Sequence, residues 1–246
     1  MALENKVNNF TKELSCILSQ IAYHLHPDII NYIKEQNQKD YQYFKNLFGN
    51  KISIDNYLFN GSACVFPGVK RYISGVGNKQ KYNPNFNAIL DDNTFPRHIW
   101  CFLVIGNVYN GPNWKATGLN EFELAHIFSH KKSELAEEKR YFNTMSNESS
   151  PFGEFTCAAN VIILPKGTVR PTDKLPVIKS IFYKRYISLY GEDTLGGRKG
   201  FRHDLVPSWY NDLVWNDPYI PENWKESING LLEYRKRRIQ HIMNDV

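Results

Sequence analysis

The sequence predicts an α+β protein, on three observations. Apolar residues recur at helical spacing at the N-terminal end of the chain, two short apolar runs in the middle have strand character, and a helix-forming segment follows the second run. At the N-terminal end, Val7, Phe10, Leu14, Cys16 or Ile17, and Ile21 place an amphipathic helix over 5–24. His26, Pro27 and Asp28 break it, and Ile29, Ile30, Tyr32 and Ile33 open a second, polar-rich helix. Gly49, Asn50, Asn60, Gly61, Pro67, Gly68, Gly75 and Gly77 then punctuate a stretch that reads as short strands and turns.

The compact apolar run over 98–105 reads as a buried strand, and Asn110, Gly111 and Pro112 as the turn after it. Residues 122–127 form the next expected strand, 133–142 a charged helix, and 160–164 a second strand. Thr172 or Asp173 can cap the helix that runs to Tyr190, with Pro176 near its first turn. The tail ends in a helix over 224–243 that carries Tyr234, Arg235, Lys236, Arg237 and Arg238. No internal repeat, low-complexity tract or interdomain linker interrupts this order.

Composition narrows the function classes. A chain of 246 residues that is 42% hydrophobic can bury a real core, which argues against global disorder. The net charge of +5 favours a polyanionic partner mildly, although enzymes of small anions are equally basic. Cys16, Cys64, Cys101 and Cys157 stand apart from one another, which excludes a cysteine-based zinc knuckle and gives no disulfide framework. No apolar run approaches the length of a membrane span, and the first residues enter an amphipathic pattern, so a soluble cytoplasmic protein is expected.

The chemistry-bearing residues cluster over 123–173. Glu123, Ala125, His126 and His130 surround the end of the first expected strand. Asn160 opens the second, which continues Val161, Ile162, Ile163, Leu164 and Pro165. This order resembles the HNH, or ββα-metal, nuclease family, in which a histidine ends one strand, an asparagine precedes the next, and a helix follows. The resemblance covers about a fifth of the chain. It implies a ββα-metal finger embedded in helical and mixed flanks.

By that resemblance His126 is the general base that deprotonates a water, because an imidazole titrates near neutrality. Asn160 braces the strand pair, or in some members touches the metal. The implied cofactor is Mg²⁺ or Mn²⁺, which prefers oxygen ligands and keeps several waters. Two positions depart from the pattern. The residue before the histidine is a metal ligand in the family and is Ala125 here, and the third functional position falls on Val169. Glu123, His130 and Asp173 are the nearest candidates to take over as ligands. Each also has an ordinary structural reading: His130 as an exposed residue beside two lysines, Asp173 as a helix cap, His126 as a hydrogen-bonded strand-end residue.

Basic residues in the flanks suit a nucleic-acid grip. Gly196, Gly197, Arg198, Lys199, Gly200 and Arg202 read as a flexible basic loop whose Arg198, Lys199 and Arg202 neutralise phosphates, with a mobile solvated loop as the alternative. Lys131 and Lys132 follow the expected base closely. The basic run at 234–238 reads as an exposed helix face, and Trp209, Tyr210, Trp215 and Tyr219 as loop anchors ahead of base stackers.

Other catalytic types fit poorly. Glu137, Glu138 and Lys139 have the letters of another nuclease type but a helical setting, and there is no nucleophile elbow and no nucleotide-binding glycine motif. The expected organisation is 1–110 for recognition or dimerisation, 111–190 for the nuclease core and 191–246 for DNA contacts. The expected activity is endonucleolytic cleavage of double-stranded DNA by a homodimer resembling a type II restriction enzyme. A nicking or homing endonuclease of the same family, or a non-catalytic DNA-binding protein that keeps the hairpin, are the alternatives.

Overall fold

A computed structural model describes residues 2–50, 53–65, 95–129, 132–146 and 152–244. The turns expected at Pro67, Gly68, Gly75 and Gly77 lie outside them, as do His130 and Lys131. Mixed helix and small antiparallel sheets make this an α+β protein. The helices expected first are present: α1 over Ala2–Ile21 and α2 over Pro27–Phe48. His26 caps α2, its Nδ1 accepting the amide of Asp28 at 3.1 Å. Pro27 occupies the first helical turn, where its missing N–H costs nothing.

The run over 98–105 is not a strand. It lies in α3, Phe95–Ile105, with Pro96 in its first turn. Ile99, Trp100, Cys101, Phe102 and Leu103 are all buried, and a short continuous apolar run of this kind fits a buried helix as well as a buried strand. Asn110 caps a short helix, α4 (Gly111–Ala116), by accepting the amide of Asn113 at 2.7 Å.

The two central strands pair as the sequence implies. β1 (Phe122–His126) runs antiparallel to the strand Val161–Pro165, in a register that sets Phe122 opposite Pro165 and His126 opposite Val161. Tyr23 bridges the outer edge of the second strand, exchanging both backbone bonds with Ile163 at 3.0 and 3.2 Å. That strand is therefore covered along both edges, and Val161, Ile162, Ile163 and Leu164 are all buried. Between the two strands lie α5 (Lys132–Glu138), β2 (Phe142–Met145) and α6 (Phe152–Phe155). The strand Val161–Pro165 is thus β3, and the helix expected over 133–142 is shorter, giving way through a 3-10 turn to β2.

Two helices follow β3, α7 (Arg170–Lys174) and α8 (Pro176–Tyr190). Thr172 and Asp173 lie inside α7, and Leu175 occupies the cap position of α8 without a capping side chain. The segment expected to be a flexible basic loop is β4 (Arg198–Phe201), paired antiparallel with β2. The chain closes with α9, Trp224–Asn244.

One buried cluster draws on α1, α2, α3, β1, β3, α8 and α9, so the three expected segments share a core. Part of that core is a cation. Arg235, expected on an exposed helix face, is 0% exposed. It donates to Asn37 Oδ1 at 2.6 Å, to the Cys64 carbonyl at 3.1 Å and to Asp40 at 3.2 Å, with its guanidinium 5.0 Å from the Phe44 ring centre. Trp215 and Tyr219 are anchors, as expected: Trp215 meets the His24 ring edge-on at 5.7 Å, and the Tyr219 amide donates to the His24 carbonyl at 2.7 Å. Among the described residues no helix is long and apolar enough to cross a membrane.

His24 itself is fully buried between aromatic rings, and neither ring nitrogen has a hydrogen-bond partner among the described residues. Burial, reinforced by the nearby Arg185, lowers its pKa to about 3. The folded value lies below the unfolded one, so the protein is penalised as pH falls below the unfolded pKa of about 6.5 towards the folded one. At pH 5 that penalty is about 2 kcal/mol. Replacing His24 with Leu should remove it: denaturant titrations at pH 7.5 and pH 5 should then show a smaller loss of stability on acidification than in the native chain. An equal loss in both proteins would assign the acid sensitivity to other groups.

Candidate active site

The site is built around the turn that leaves β1. Asn160, the last residue before β3, is 0% exposed and sits beneath that turn. Its Oδ1 accepts the Phe128 amide at 2.7 Å, and its Nδ2 donates to the carbonyls of Phe128 and Phe155, both at 3.0 Å. Its own carbonyl accepts the Ile127 amide at 3.0 Å. Both amide donors and one lone pair of the side-chain oxygen are thus used inside the protein, and the fully buried side chain does not line the cleft that His126 faces. The bracing role expected for Asn160 matches this geometry.

His126 stacks flat on Phe155, with ring centres 4.2 Å apart and planes 12° from parallel. Phe155 is the residue whose carbonyl Asn160 holds. One amide therefore fixes both the turn after His126 and the ring against which His126 lies.

His126 and Ala125 face a cleft of about 420 Å³. Val169, Thr172 and Asp173 line it from the start of α7, so the residues singled out on either side of the long loop do meet in space. The Thr172 hydroxyl donates to the Val169 carbonyl at 2.6 Å. Glu123 is exposed and does not line the cleft, which removes it as a replacement ligand. Ala125 is 3% exposed and paired with Ile162, so its methyl marks a close-packed position in the wall.

Several lining residues carried no signal in the sequence. Arg97 reaches the cleft from α3 and sits 5.5 Å over the Tyr109 ring. Lys179 comes from α8, largely buried, and donates to Glu137 Oε2 at 2.9 Å, which holds that carboxyl below its ordinary range. Glu134 and Glu138 line the α5 side. Arg97 precedes an apolar run and Lys179 lies within a helix; only tertiary packing brings them here.

Arg198 does not grip a substrate. It is 1% exposed, with Nε and Nη2 donating to Glu138 Oε2 at 3.0 and 2.7 Å, Nη2 donating to the Ser129 carbonyl at 3.1 Å, and Nη1 bound to Glu154. Glu138 also accepts the Ser129 amide at 2.8 Å, and burial pushes its carboxyl up despite the guanidinium. Gly196 has φ +58°, and a Cβ there would lie 2.6 Å from Glu154 Oε1, so glycine is what lets the chain pass this carboxylate. Lys199 is exposed, and Arg202 is exposed and paired with Asp204 at 2.7 Å. Lys132 opens α5.

Among the described residues no group of three His, Cys, Asp or Glu forms a metal cage. His126, Glu134, Glu138 and Asp173 line the cleft, with Ala125 where the resemblance places a carboxylate or imidazole. No protein-family model, curated protein or solved structure matches the chain.

Three substitutions separate brace from bystander. Asn160→Ala strands three backbone groups in the interior and should cost on the order of 3 kcal/mol. That is a fall in Tm of roughly 6–12 °C. Arg198→Leu leaves two buried carboxylates facing each other and should cost about 3–5 kcal/mol, whereas Lys199→Ala should stay within about 0.5 kcal/mol of the native chain. Calorimetry of the three variants checks the ranking; equal effects at Arg198 and Lys199 would contradict the buried network.

Proposed function

We propose that this chain is an HNH-type endonuclease that hydrolyses phosphodiester bonds of double-stranded DNA, with His126 as general base and Mg²⁺ or Mn²⁺ as cofactor, in the manner of a type II restriction enzyme. The observation that carries the reading is the Asn160 side chain clamping the turn after His126 while His126 opens on a cleft shared with Asp173. A strand-end histidine alone is a weak sign. A histidine whose strand, turn and stacking ring are all fixed by one buried amide is preorganised, which is what a proton acceptor needs.

In this reading water gives a proton to the His126 imidazole as its oxygen attacks phosphorus. The P–O bond opposite breaks, and the leaving alkoxide takes a proton from solvent. Arg97 and Lys179 supply the positive charge that a phosphate needs in the cleft, Lys179 by exchanging Glu137 for the phosphate. Asp173 and the substrate phosphate would hold the divalent cation, which takes up charge on the phosphate oxygens when bound. Lys199, Arg202 and Lys132, with Lys131 outside the described residues, are the contacts proposed for the flanking duplex; Arg198 has no part in it.

A second reading has its own observation. Ala125 and Val169, at the two positions where the resemblance expects function, are both apolar. A DNA-binding protein that keeps the hairpin without cleaving would show this pattern.

Incubation of supercoiled plasmid with Mg²⁺ or Mn²⁺ decides between them. We expect discrete linear fragments from the native chain, none with EDTA, and none from His126→Ala, which should bind DNA and melt as the native chain does. Ala125→Asp should lower the metal concentration for half-maximal cleavage by about tenfold or more, through the added carboxylate. Nicked circles in place of fragments would indicate a nicking enzyme. If neither the native chain nor Ala125→Asp cleaves, the enzyme reading fails and the binding reading stands. Lys199→Ala should reduce the salt dependence of DNA binding by a slope of about 1.

A further inference from the structure

Helix α1 presents its apolar stripe to solvent. Its packed face includes Ser15, Leu18 and Ser19, all fully buried and two of them small. The larger apolar residues lie elsewhere: Val7, Phe10 and Ile17 are 58%, 58% and 56% exposed. Leu14 and Ile21 complete the spacing of three and four along the same stripe, and only these two reach the core from its edge. From Val7 to Ile21 the stripe is about 21 Å long. The packed face is tied down on the opposite side, where the Ser19 hydroxyl donates to the Val214 carbonyl at 2.9 Å. Lys12 pins the far side of the helix to Asp212 at 3.2 Å, so the orientation of α1 is fixed. Scattered exposed apolar residues are ordinary; a continuous stripe of this kind marks an interface.

We propose that this stripe is the dimer interface of the protein, formed by α1 packed antiparallel against α1 of a second copy. Charge complementarity selects that occupant. Lys6 and Glu13 are exposed on this side of the helix and make no ion pair among the described residues. They are seven residues apart, two helical turns, and therefore share an angular position. A two-fold axis near Phe10 sets Lys6 against Glu13 of the partner subunit, and the symmetry makes that pair twice. Parallel packing would instead oppose like charges. A membrane surface fits less well, because helices that lie on membranes carry an excess of Lys and Arg on the polar face, and here the acidic and basic residues balance. A stripe this narrow lies at the small end of interface sizes, so the dimer should dissociate at roughly micromolar concentrations.

The test is sedimentation equilibrium of the full chain over roughly 1–200 µM, a range that brackets micromolar dissociation. The native chain should show a concentration-dependent dimer. Phe10→Glu should raise the dissociation constant at least about 30-fold, as expected for a central aromatic anchor. Lys6→Glu alone should weaken the dimer, and Lys6→Glu combined with Glu13→Lys should restore it. The charge swap keeps the proposal decidable even if Phe10→Glu disturbs folding. A monomer throughout the range, a dimer indifferent to both Phe10→Glu and the charge swap, or a monomer that instead sediments with anionic vesicles would overturn it. The readout is mass, so it stands or falls apart from any cleavage activity.

Discussion

Arg198 carries a full positive charge into the interior, where leaving water costs several kcal/mol unless carboxylates take up the charge. Glu138 from α5 and Glu154 from α6 do so, and the remaining donor reaches the Ser129 carbonyl in the turn after β1. One guanidinium on β4 thereby ties two helices and a turn that are distant in sequence. The arrangement hinges on the guanidinium, since removing it leaves two buried carboxylates without a cation. The local sequence is shaped around it, down to the glycine at 196 that lets the chain pass Glu154.

The consequence for the cleft is that the turn after His126 is held from two sides. Asn160 binds the backbone at Ile127 and Phe128, and Glu138 with Arg198 binds it at Ser129. No residue of that turn depends on its immediate neighbours for its hydrogen bonds, so His126 is set by the packing of β3, α5 and β4. The same network tempers the electrostatics of the wall. Glu138 lines the cleft, yet its charge faces Arg198, so it does little to repel an anion there. A phosphate would meet Arg97 and Lys179 instead.

What the sequence disclosed and what it withheld follow from the range of each interaction. The β1–β3 pair was legible because strand alternation and a polar residue at a strand start are local features, and the α1 helix was legible by periodicity. The run at 98–105 was misread because a short continuous apolar run fits a buried strand as well as a buried helix. Arg198 and Arg235 were misread for a different reason: their partners Glu138, Glu154, Asn37 and Asp40 lie far away in the chain, so a basic residue in a glycine-rich or basic stretch looks solvated. Arg97 and Lys179 could not be placed in the cleft at all, since nothing in their neighbours points there. In α1 the period was right but silent about orientation, because small residues on one face pack as well as large ones on another.

The same distinction changes what the net charge of +5 means. Composition counts every ionised group alike, but a polyanion meets only those at the surface. Among the described residues the buried charged side chains are Arg198, Arg235 and Lys179 against Glu138 and Glu154, so burial withdraws slightly more positive than negative charge and the exterior is no more positive than composition suggests. The two basic segments flagged from sequence each gave up an arginine to the interior; Arg198 is matched by two buried acids, whereas Arg235 is met by the partly exposed Asp40. The charge that the proposed polyanion would meet therefore lies not in those arginines but in exposed cations such as Lys199, and in pairs such as Lys179 with Glu137 and Arg202 with Asp204, whose carboxylates are exposed.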